Sequence, residues 1–263
     1  MTTRSVHKPS QPRRTAVDLS HTVEHGLVTY RGLPAPIICD YLSRAASRSI
    51  YAAGTEFHIG KIEMVANTGT YVDSPFHRYE QGRDLSELEL SRLADVETVV
   101  VRCRLGESAR DGDAGQGGAR QERAIDVAAI AEMGVELRDK AVLFETGWDR
   151  HFGREPYFTG HPFLTEAAAR YLVKNKPAIV GIDSLNIDDT AGGLRPVHSL
   201  LLGADIPIVE HLTQLGQIPR QGARFFAVPV KVRAFGTFPV RAFALLPDEK
   251  HDPDRSERAS EQA

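Results

Sequence analysis

Short apolar runs alternate along the chain with segments in which apolar residues recur every three or four positions. The runs, rich in β-branched, aliphatic and aromatic residues, lie at 57–65, 97–103, 141–146, 178–183, 224–232 and 238–245. Helical spacing occurs at 84–93, 124–133 and 165–174, and Pro207 favours one more helix, at 207–215. Interleaved strands and helices predict an α/β fold, and the paired runs after Arg224 favour antiparallel neighbours in a mixed sheet.

Composition limits the function classes. The chain has 263 residues, of which 41% are hydrophobic and 25% charged, with a formal net charge of −3. Because no basic stripe is visible, we expect no nucleic-acid partner. No apolar run approaches the ~18 residues of a membrane span, and no signal-peptide core precedes the first strand. Cysteine occurs only at Cys39 and Cys103, which is typical of a reduced, cytoplasmic protein.

Three segments differ from the rest in having little to bury. Residues 1–14 are polar and basic, 106–121 are rich in glycine and charge, and 248–263 are polar and rich in charge. We predict a disordered arm, a flexible loop and a disordered tail, respectively. Residues 15–247 then form a single domain.

The first segment that contains candidate catalytic residues is Asn67-Thr-Gly-Thr-Tyr71-Val-Asp73-Ser-Pro-Phe-His77. It follows the predicted strand 57–65, and its glycine and proline indicate a loop. Asp73 and His77 lie four residues apart and could act together as acid and base. By spacing alone they could equally cap backbone groups of a turn.

The second segment follows the predicted strand 178–183, where polar side chains gather. Asn186 and Asp188 lie just beyond its carboxyl end, the place where functional side chains of α/β sheets collect. His198 and Glu210 come next, with apolar residues between them. Taken singly, a histidine and a glutamate are more often found on solvated faces.

Taken together, these segments resemble the cyclase-type metal-dependent hydrolases, the group that includes kynurenine formamidase and isatin hydrolase. The resemblance extends from Val17 to about Leu246. Its further matches are Asp18-Leu-Ser-His21, Tyr30, Thr146-Gly-Trp148-Asp, Tyr157-Phe-x-x-His161-Pro and Val180-Gly-Ile-Asp183. It implies a swivelling β/β/α fold, assembly as a homodimer or homotetramer, and hydrolysis of an amide or lactam bond in a small aromatic or cyclic substrate.

The chain departs from the family signature H-T-G-T-H-x-D-x-P-x-H at two positions. Asn67 and Tyr71 replace the two leading histidines, which in the family hold a metal ion. Amide and phenol oxygens are poor ligands for zinc, so this first metal position is weakened. The resemblance leaves a second ligand set, Asp73, His198 and Glu210, and we expect these three side chains to meet in space around Zn²⁺ or Mn²⁺.

If a metal ion binds, the chemistry of the side chains suggests roles for the remaining residues. His77 would move the proton, with Asp73 beside it, and Tyr71 would donate a hydrogen bond to a developing oxyanion. The expected substrate contacts are Tyr30, Asn67, Trp148 and His161. Two alternatives stay open: a metal-free cyclase, dehydratase or isomerase, and a binding protein without catalysis.

Overall fold

A nine-stranded mixed sheet organises the chain, for which a computed structural model describes residues 14–103 and 122–247. The strands, in chain order, are β1 Ala16–Asp18, β2 Ile37–Leu42, β3 Ile59–Glu63, β4 Tyr71–Asp73, β5 Val96–Arg102, β6 Ala124–Ile125, β7 Ala141–Glu145, β8 Phe163–Leu164, β9 Ile179–Ile182, β10 Ile208–Glu210, β11 Gln221–Phe226, β12 Thr237–Pro239 and β13 Phe243–Leu245. The helices are α1 Arg44–Ser47, α2 Val127–Ala131, α3 Glu166–Asn175 and α4 Pro196–Gly203. Among these described helices, none could cross a membrane.

The strand order of the large sheet is β1-β13-β11-β5-β7-β9-β10-β4-β12. The central strands β5, β7, β9 and β10 run parallel, and both flanks are antiparallel. The central strands read as continuous apolar runs because both of their faces are covered. The sheet is therefore buried in its middle, and α/β with a mixed sheet is confirmed as the fold class.

Two apolar layers cover the sheet. Val142, Phe144 and Ile208 belong to the layer that also contains the buried side chains of α2, α3 and α4. Leu143 and Val209, the alternating neighbours, belong to the opposite layer. Since side chains alternate between the faces of a strand, the residue parity along β10 and β4 decides which side chains face α4.

Several predicted elements are confirmed at nearly their predicted bounds. Strands form at the predicted 57–65, 97–103, 141–146 and 178–183, and the predicted helix 165–174 is α3. Thr165 caps α3, and its hydroxyl accepts from the Ala168 N–H. The predicted arm, loop and tail lie outside the described residues, apart from Arg14.

Two predicted helices are wrong. Residues 84–93 contain only the 3₁₀ turn Leu90–Arg92, because the Asp84 carboxylate holds a turn by accepting from Ser86 and Ala234. Residues 207–215 contain β10 rather than a helix. Pairing with β9 on one side and β4 on the other outweighs the preference of Pro207 for a helical first turn.

Other boundaries differ as well. The predicted strand 238–245 is divided into β12 and β13, which lie at opposite ends of the sheet, and the run 224–232 ends at Phe226. The predicted helix 124–133 begins as strand β6 and becomes α2 only after Asp126. Helix α4 was not predicted.

Strands β2 and β3 form a separate two-stranded antiparallel ribbon. It exposes Ile37, Ile38, Tyr41, Ile59 and Ile62. Within the described part of the chain no other strand pairs with either edge of the ribbon. Its outer edges therefore carry backbone groups without strand partners, beside exposed apolar side chains.

Candidate active site

Strands β4 and β10 bring Tyr71, Asp73 and Glu210 onto one face of the sheet. In their antiparallel register Tyr71 lies opposite Glu210, and Asp73 lies opposite Ile208. Opposed residues share a face, and so do residues two apart along a strand. Ile208 packs in the helix-side layer, so this is the face toward α4.

Helix α4 supplies His198 to that face. The His198 Nε2 atom lies 3.7 Å from Asp73 Oδ2 and 3.6 Å from Glu210 Oε1. The opposite ring nitrogen, Nδ1, lies 2.7 Å from Asp188 Oδ2 and donates its proton there. Nε2 is therefore the nitrogen directed at the two carboxylates.

Asp188 also holds the first turn of α4. Its carboxylate accepts the backbone N–H groups of Val197 at 2.8 Å and His198 at 2.9 Å. One side chain thus caps the helix and orients the histidine that the helix carries. The sequence placed Asp188 beyond a strand end, but nothing local indicated this role.

His77 lies in the turn Pro75–His77, on the other side of Asp73. The hydroxyl of Thr237, in β12, donates to Asp73 Oδ1 and lies 2.7 Å from His77 Nδ1. Because that hydroxyl has only one proton, it accepts from His77 Nδ1–H, and in the neutral ring His77 Nε2 is then the acceptor. Gly236 permits this approach, since a Cβ there would lie 2.6 Å from the His77 backbone.

Tyr71 is fully enclosed and hydrogen-bonded to Glu210. Its hydroxyl donates to Glu210 Oε2 at 2.7 Å, and His211 Nε2 lies 3.3 Å from the same hydroxyl. Burial and the charges of Glu210 and Asp73 hold the pKa of Tyr71 well above its ordinary value. The phenol is therefore a neutral donor.

Two cavities border this cluster. A cavity of about 360 Å³ is lined by Tyr30, Asn67, Tyr71 and Glu210, and a larger one of about 610 Å³ lies toward α4. His77, Asn186 and His198 belong to the walls of both. Each cavity can hold a small molecule against the cluster.

Comparison with known proteins places the chain in a family. The model of the Cyclase family, described as "Putative cyclase", matches residues 17–189. The chain belongs to the cyclase family. Isatin hydrolase from Roseibium aggregatum is 30% identical over 197 residues, which are 69% of this chain and 72% of that protein. Kynurenine formamidase from Erythrobacter litoralis is 26% identical over 179 residues, 68% of this chain and 73% of that protein.

A solved structure shows the same fold. Isatin hydrolase A from Labrenzia aggregata, bound to benzyl benzoate, superposes with a TM-score of 0.71 at 22% identity. The match covers 89% of this chain and 94% of that one. The predicted cyclase-like fold is thereby confirmed.

Asp73, His198 and Glu210 form a group that could hold a cation, although Asn67 and Tyr71 stand where the resembled signature has two histidines. One ligand atom from each of the three lies within 4.8 Å of the others. Asp73 Oδ2 is buried without a hydrogen-bond partner, which is costly unless a ligand satisfies it. One imidazole and two carboxylates suit a divalent ion, so the residues fit a metal.

The protonation of His198 and Glu210 determines what a metal ion would have to displace from this cluster. Burial alone would lower the pKa of His198, but Glu210, Asp188 and Asp73 raise it to about 10. Burial raises the pKa of Glu210 to about 7, against the opposing charge of His198. His198 therefore carries a proton between the carboxylates, and a cation must displace it to bind.

The structure brings most predicted site residues together. Asp73 and Glu210 meet as expected, with His198 between them, and Tyr30, Asn67, Tyr71 and His77 line the cavities.

Trp148 and His161 lie elsewhere, and their expected substrate contacts stay predictions. Neither lines these cavities. Trp148 Nε1 donates to the Tyr157 carbonyl at 3.1 Å, and His161 Nε2 lies 3.0 Å from the Asp188 carbonyl. Their polar atoms hold loops behind the site.

Sequence reasoning missed Thr237 and His211. Thr237 lies in β12, far along the chain from Asp73, and no local pattern marks it. His211 was not among the predicted site residues, yet its ring contacts both Tyr71 and Tyr157. Its position beside Glu210 was the one available signal.

Proposed function

We propose that the chain is a metal-assisted hydrolase of an amide or lactam bond in a small aromatic or cyclic substrate. The observation that carries this proposal is the buried, unpartnered Asp73 Oδ2 facing His198 Nε2 and Glu210 Oε1. The names of the relatives, isatin hydrolase and kynurenine formamidase, support the substrate class.

In this proposal Asp73, His198 and Glu210 hold Zn²⁺ or Mn²⁺. A divalent ion, when bound, supplies Lewis acidity and a source of hydroxide near neutral pH. Asp188 keeps the His198 ring directed at the site. The two carboxylates balance the charge of the cation.

His77 moves the proton. Its Nε2 accepts one proton of the attacking water and returns it to the leaving nitrogen, so that a carboxylic acid and an amine result, and the acid then loses its remaining proton to solvent and becomes a carboxylate. Thr237 orients the ring through Nδ1. Asp73 stabilises the charge that the imidazole gains, since its Oδ1 lies 3.7 Å from Nδ1.

Tyr71 and Asn67 face the smaller cavity and bind the carbonyl oxygen. The single proton of the Tyr71 hydroxyl is donated to Glu210 in this structure. Donation to a developing oxyanion therefore requires that hydrogen bond to break. Tyr30, in the same wall, contacts the rest of the substrate.

The test combines metal analysis with turnover. Protein purified without chelator is analysed for metal, then stripped and reloaded, and assayed with isatin and with formanilide. We expect hydrolysis that follows metal content and is lost in Asp73→Asn. Turnover that survives stripping would overturn metal assistance in favour of the metal-free cyclase or isomerase. Absence of hydrolysis in the loaded protein would favour the binding protein.

We also propose that the chain assembles as a homodimer or homotetramer through the β2–β3 ribbon. The supporting observation is the pair of open edges, which can pair with the same edges of a second copy across a two-fold axis. The ribbon also exposes Ile62, whose side chain is 56% accessible.

Light scattering on a sizing column tests the assembly. We expect a mass at least twice the 28.9 kDa of one chain, and a single-chain mass for Ile62→Lys. Leu90→Lys is the control, since Leu90 is 64% exposed and lies outside the ribbon. A wild-type protein of single-chain mass would contradict the proposal.

The cytoplasmic compartment also stays a proposal, supported by the free thiols of Cys39 and Cys103.

A further inference from the structure

Three arginines line the 610 Å³ cavity beside the cation site. They are Arg78, Arg170 and Arg195, in a wall that also contains His77 and His198. Arg170 is neutralised by Glu166, the one carboxylate among the residues lining that cavity, at 2.6 Å. Within the described part of the chain, no carboxylate lies within ion-pair distance of Arg78 or Arg195. The wall therefore carries uncompensated positive charge.

Neutral groups hold both of these guanidinium groups in place. Arg195 Nη1 donates to the carbonyls of Gly192 at 2.7 Å and Leu194 at 2.8 Å. Arg78 Nε donates to Ser199 Oγ at 3.2 Å, and its guanidinium lies 5.2 Å from the centre of the Tyr79 ring. These contacts fix the side chains and leave their charge available to a ligand.

We propose that Arg78 and Arg195 form a subsite for a carboxylate group carried by the small molecule in the cleft. A guanidinium presents paired N–H donors that match the two oxygens of a carboxylate. The cavity shares His77, Asn186 and His198 with the cation site, so one small molecule can reach both. Binding of a carboxylate at this subsite does not depend on the proposed function. Only the hydrolysis expected next to it does.

The carboxylate has two possible sources with the same chemistry. It is either a substituent of the substrate, remote from the bond that is cleaved, or the carboxylate that hydrolysis creates. Both would bind the same pair of guanidinium groups.

Calorimetric binding of benzoate and benzamide tests the subsite without turnover. The protein is titrated in both its stripped and its metal-loaded forms. We expect benzoate to bind more tightly than benzamide, and Arg78→Gln to weaken benzoate by roughly tenfold with little change for benzamide. Arg170→Gln is the matched control, because Glu166 already neutralises that charge. Arg78→Lys keeps the charge and should retain part of the affinity.

Equal affinities of wild type for the two probes would overturn the subsite, as would equal effects of Arg78→Gln and Arg170→Gln. Because the stripped protein is also titrated, these outcomes are independent of any failure to hydrolyse isatin or formanilide.

Kinetics then identify the source of the carboxylate. If Arg78→Gln raises KM for formanilide bearing an ortho-carboxylate but not for formanilide, the substrate carries the group. If it instead weakens only inhibition by the product of isatin hydrolysis, the group is the product's. No change in either constant would overturn the role of the subsite in the reaction.

Discussion

At the scale of single residues, the contact between Thr237 and His77 orients the proposed general base. The Thr237 hydroxyl donates to Asp73 and accepts from His77 Nδ1–H, so in the neutral ring His77 Nε2 is the acceptor that faces the cleft. We expect His77→Ala to lower kcat by about 10²- to 10⁴-fold, because a positioned general base contributes that much. Steady-state kinetics and metal titration measure the effect.

Two further observations make that result specific. Metal affinity should be nearly unchanged in His77→Ala, because His77 lies outside the proposed ligand set. His58→Ala, at an exposed histidine that pairs with Asp40, should behave as wild type. Equal turnover of His77→Ala and wild type would assign the base to another group.

Asn67 and Tyr71 permit a second test at the same scale. Restoring the family histidines with Asn67→His plus Tyr71→His adds two imidazoles beside Asp73 and Glu210. Titration should show higher affinity for Zn²⁺ or Mn²⁺ than in wild type, since imidazole suits both better than amide or phenol oxygens. Native turnover should fall by about 10²- to 10³-fold if Tyr71 is the oxyanion donor. Equal metal affinities would contradict a cation site at this loop.

Helix α4 is the element on which the site depends. Asp188 accepts the N–H groups of its first turn and the Nδ1–H of His198. Asp188→Asn, which nearly preserves shape, should weaken metal binding by about 10- to 100-fold, as loss of a histidine's orienting partner does. Loss of the cap should cost about 1 kcal/mol of unfolding free energy.

Thr165→Ala separates these two effects. It removes the cap of α3 and should cost a similar amount of stability, about 1 kcal/mol, in denaturant unfolding. Its metal affinity should equal that of wild type. If Thr165→Ala weakened metal binding as much as Asp188→Asn, the effect of Asp188 would be one of stability alone.

The stability of the whole molecule depends on pH, and His21 contributes to that dependence. Its ring stacks on Phe152 at 3.6 Å, and its Nε2 is buried without a partner. Burial lowers the pKa of His21 to about 4, although Asp149 opposes the shift. Between about pH 6.5 and 4 the unfolded chain therefore takes up a proton that the folded chain refuses, and stability falls as the pH falls.

His21→Phe tests this by keeping the stack and removing the titration. The decrease in melting temperature between about pH 7.5 and pH 5 should be smaller than in wild type. It should not vanish, because burial also lowers the pKa of His211 to about 3. His58→Asn, at an exposed position, should show the wild-type decrease. An unchanged decrease in His21→Phe would mean that the buried ring does not contribute.

The sequence by itself determined the central strands of the sheet and the set of candidate site residues. Strands β5, β7 and β9 were predictable because continuous apolar runs of this length are typical of buried strands, and α3 because Thr165 caps a periodic helix. Asp73, His77, His198 and Glu210 were predictable because their types and order resemble those of the cyclase family, whereas spacing alone left each of them open.

Only the tertiary structure decided how these residues meet. The segment at Pro207–Glu210 is short and apolar, so its local pattern fits helix and strand alike, and pairing with β4 and β9 selects the strand. That pairing sets the register that places Tyr71 opposite Glu210. Thr237 contacts His77 from 160 positions along the chain, and Asp188 contacts His198 from ten positions away, across an irregular segment. Neither spacing belongs to a regular helix or strand pattern, so these hydrogen bonds follow only from the folded arrangement.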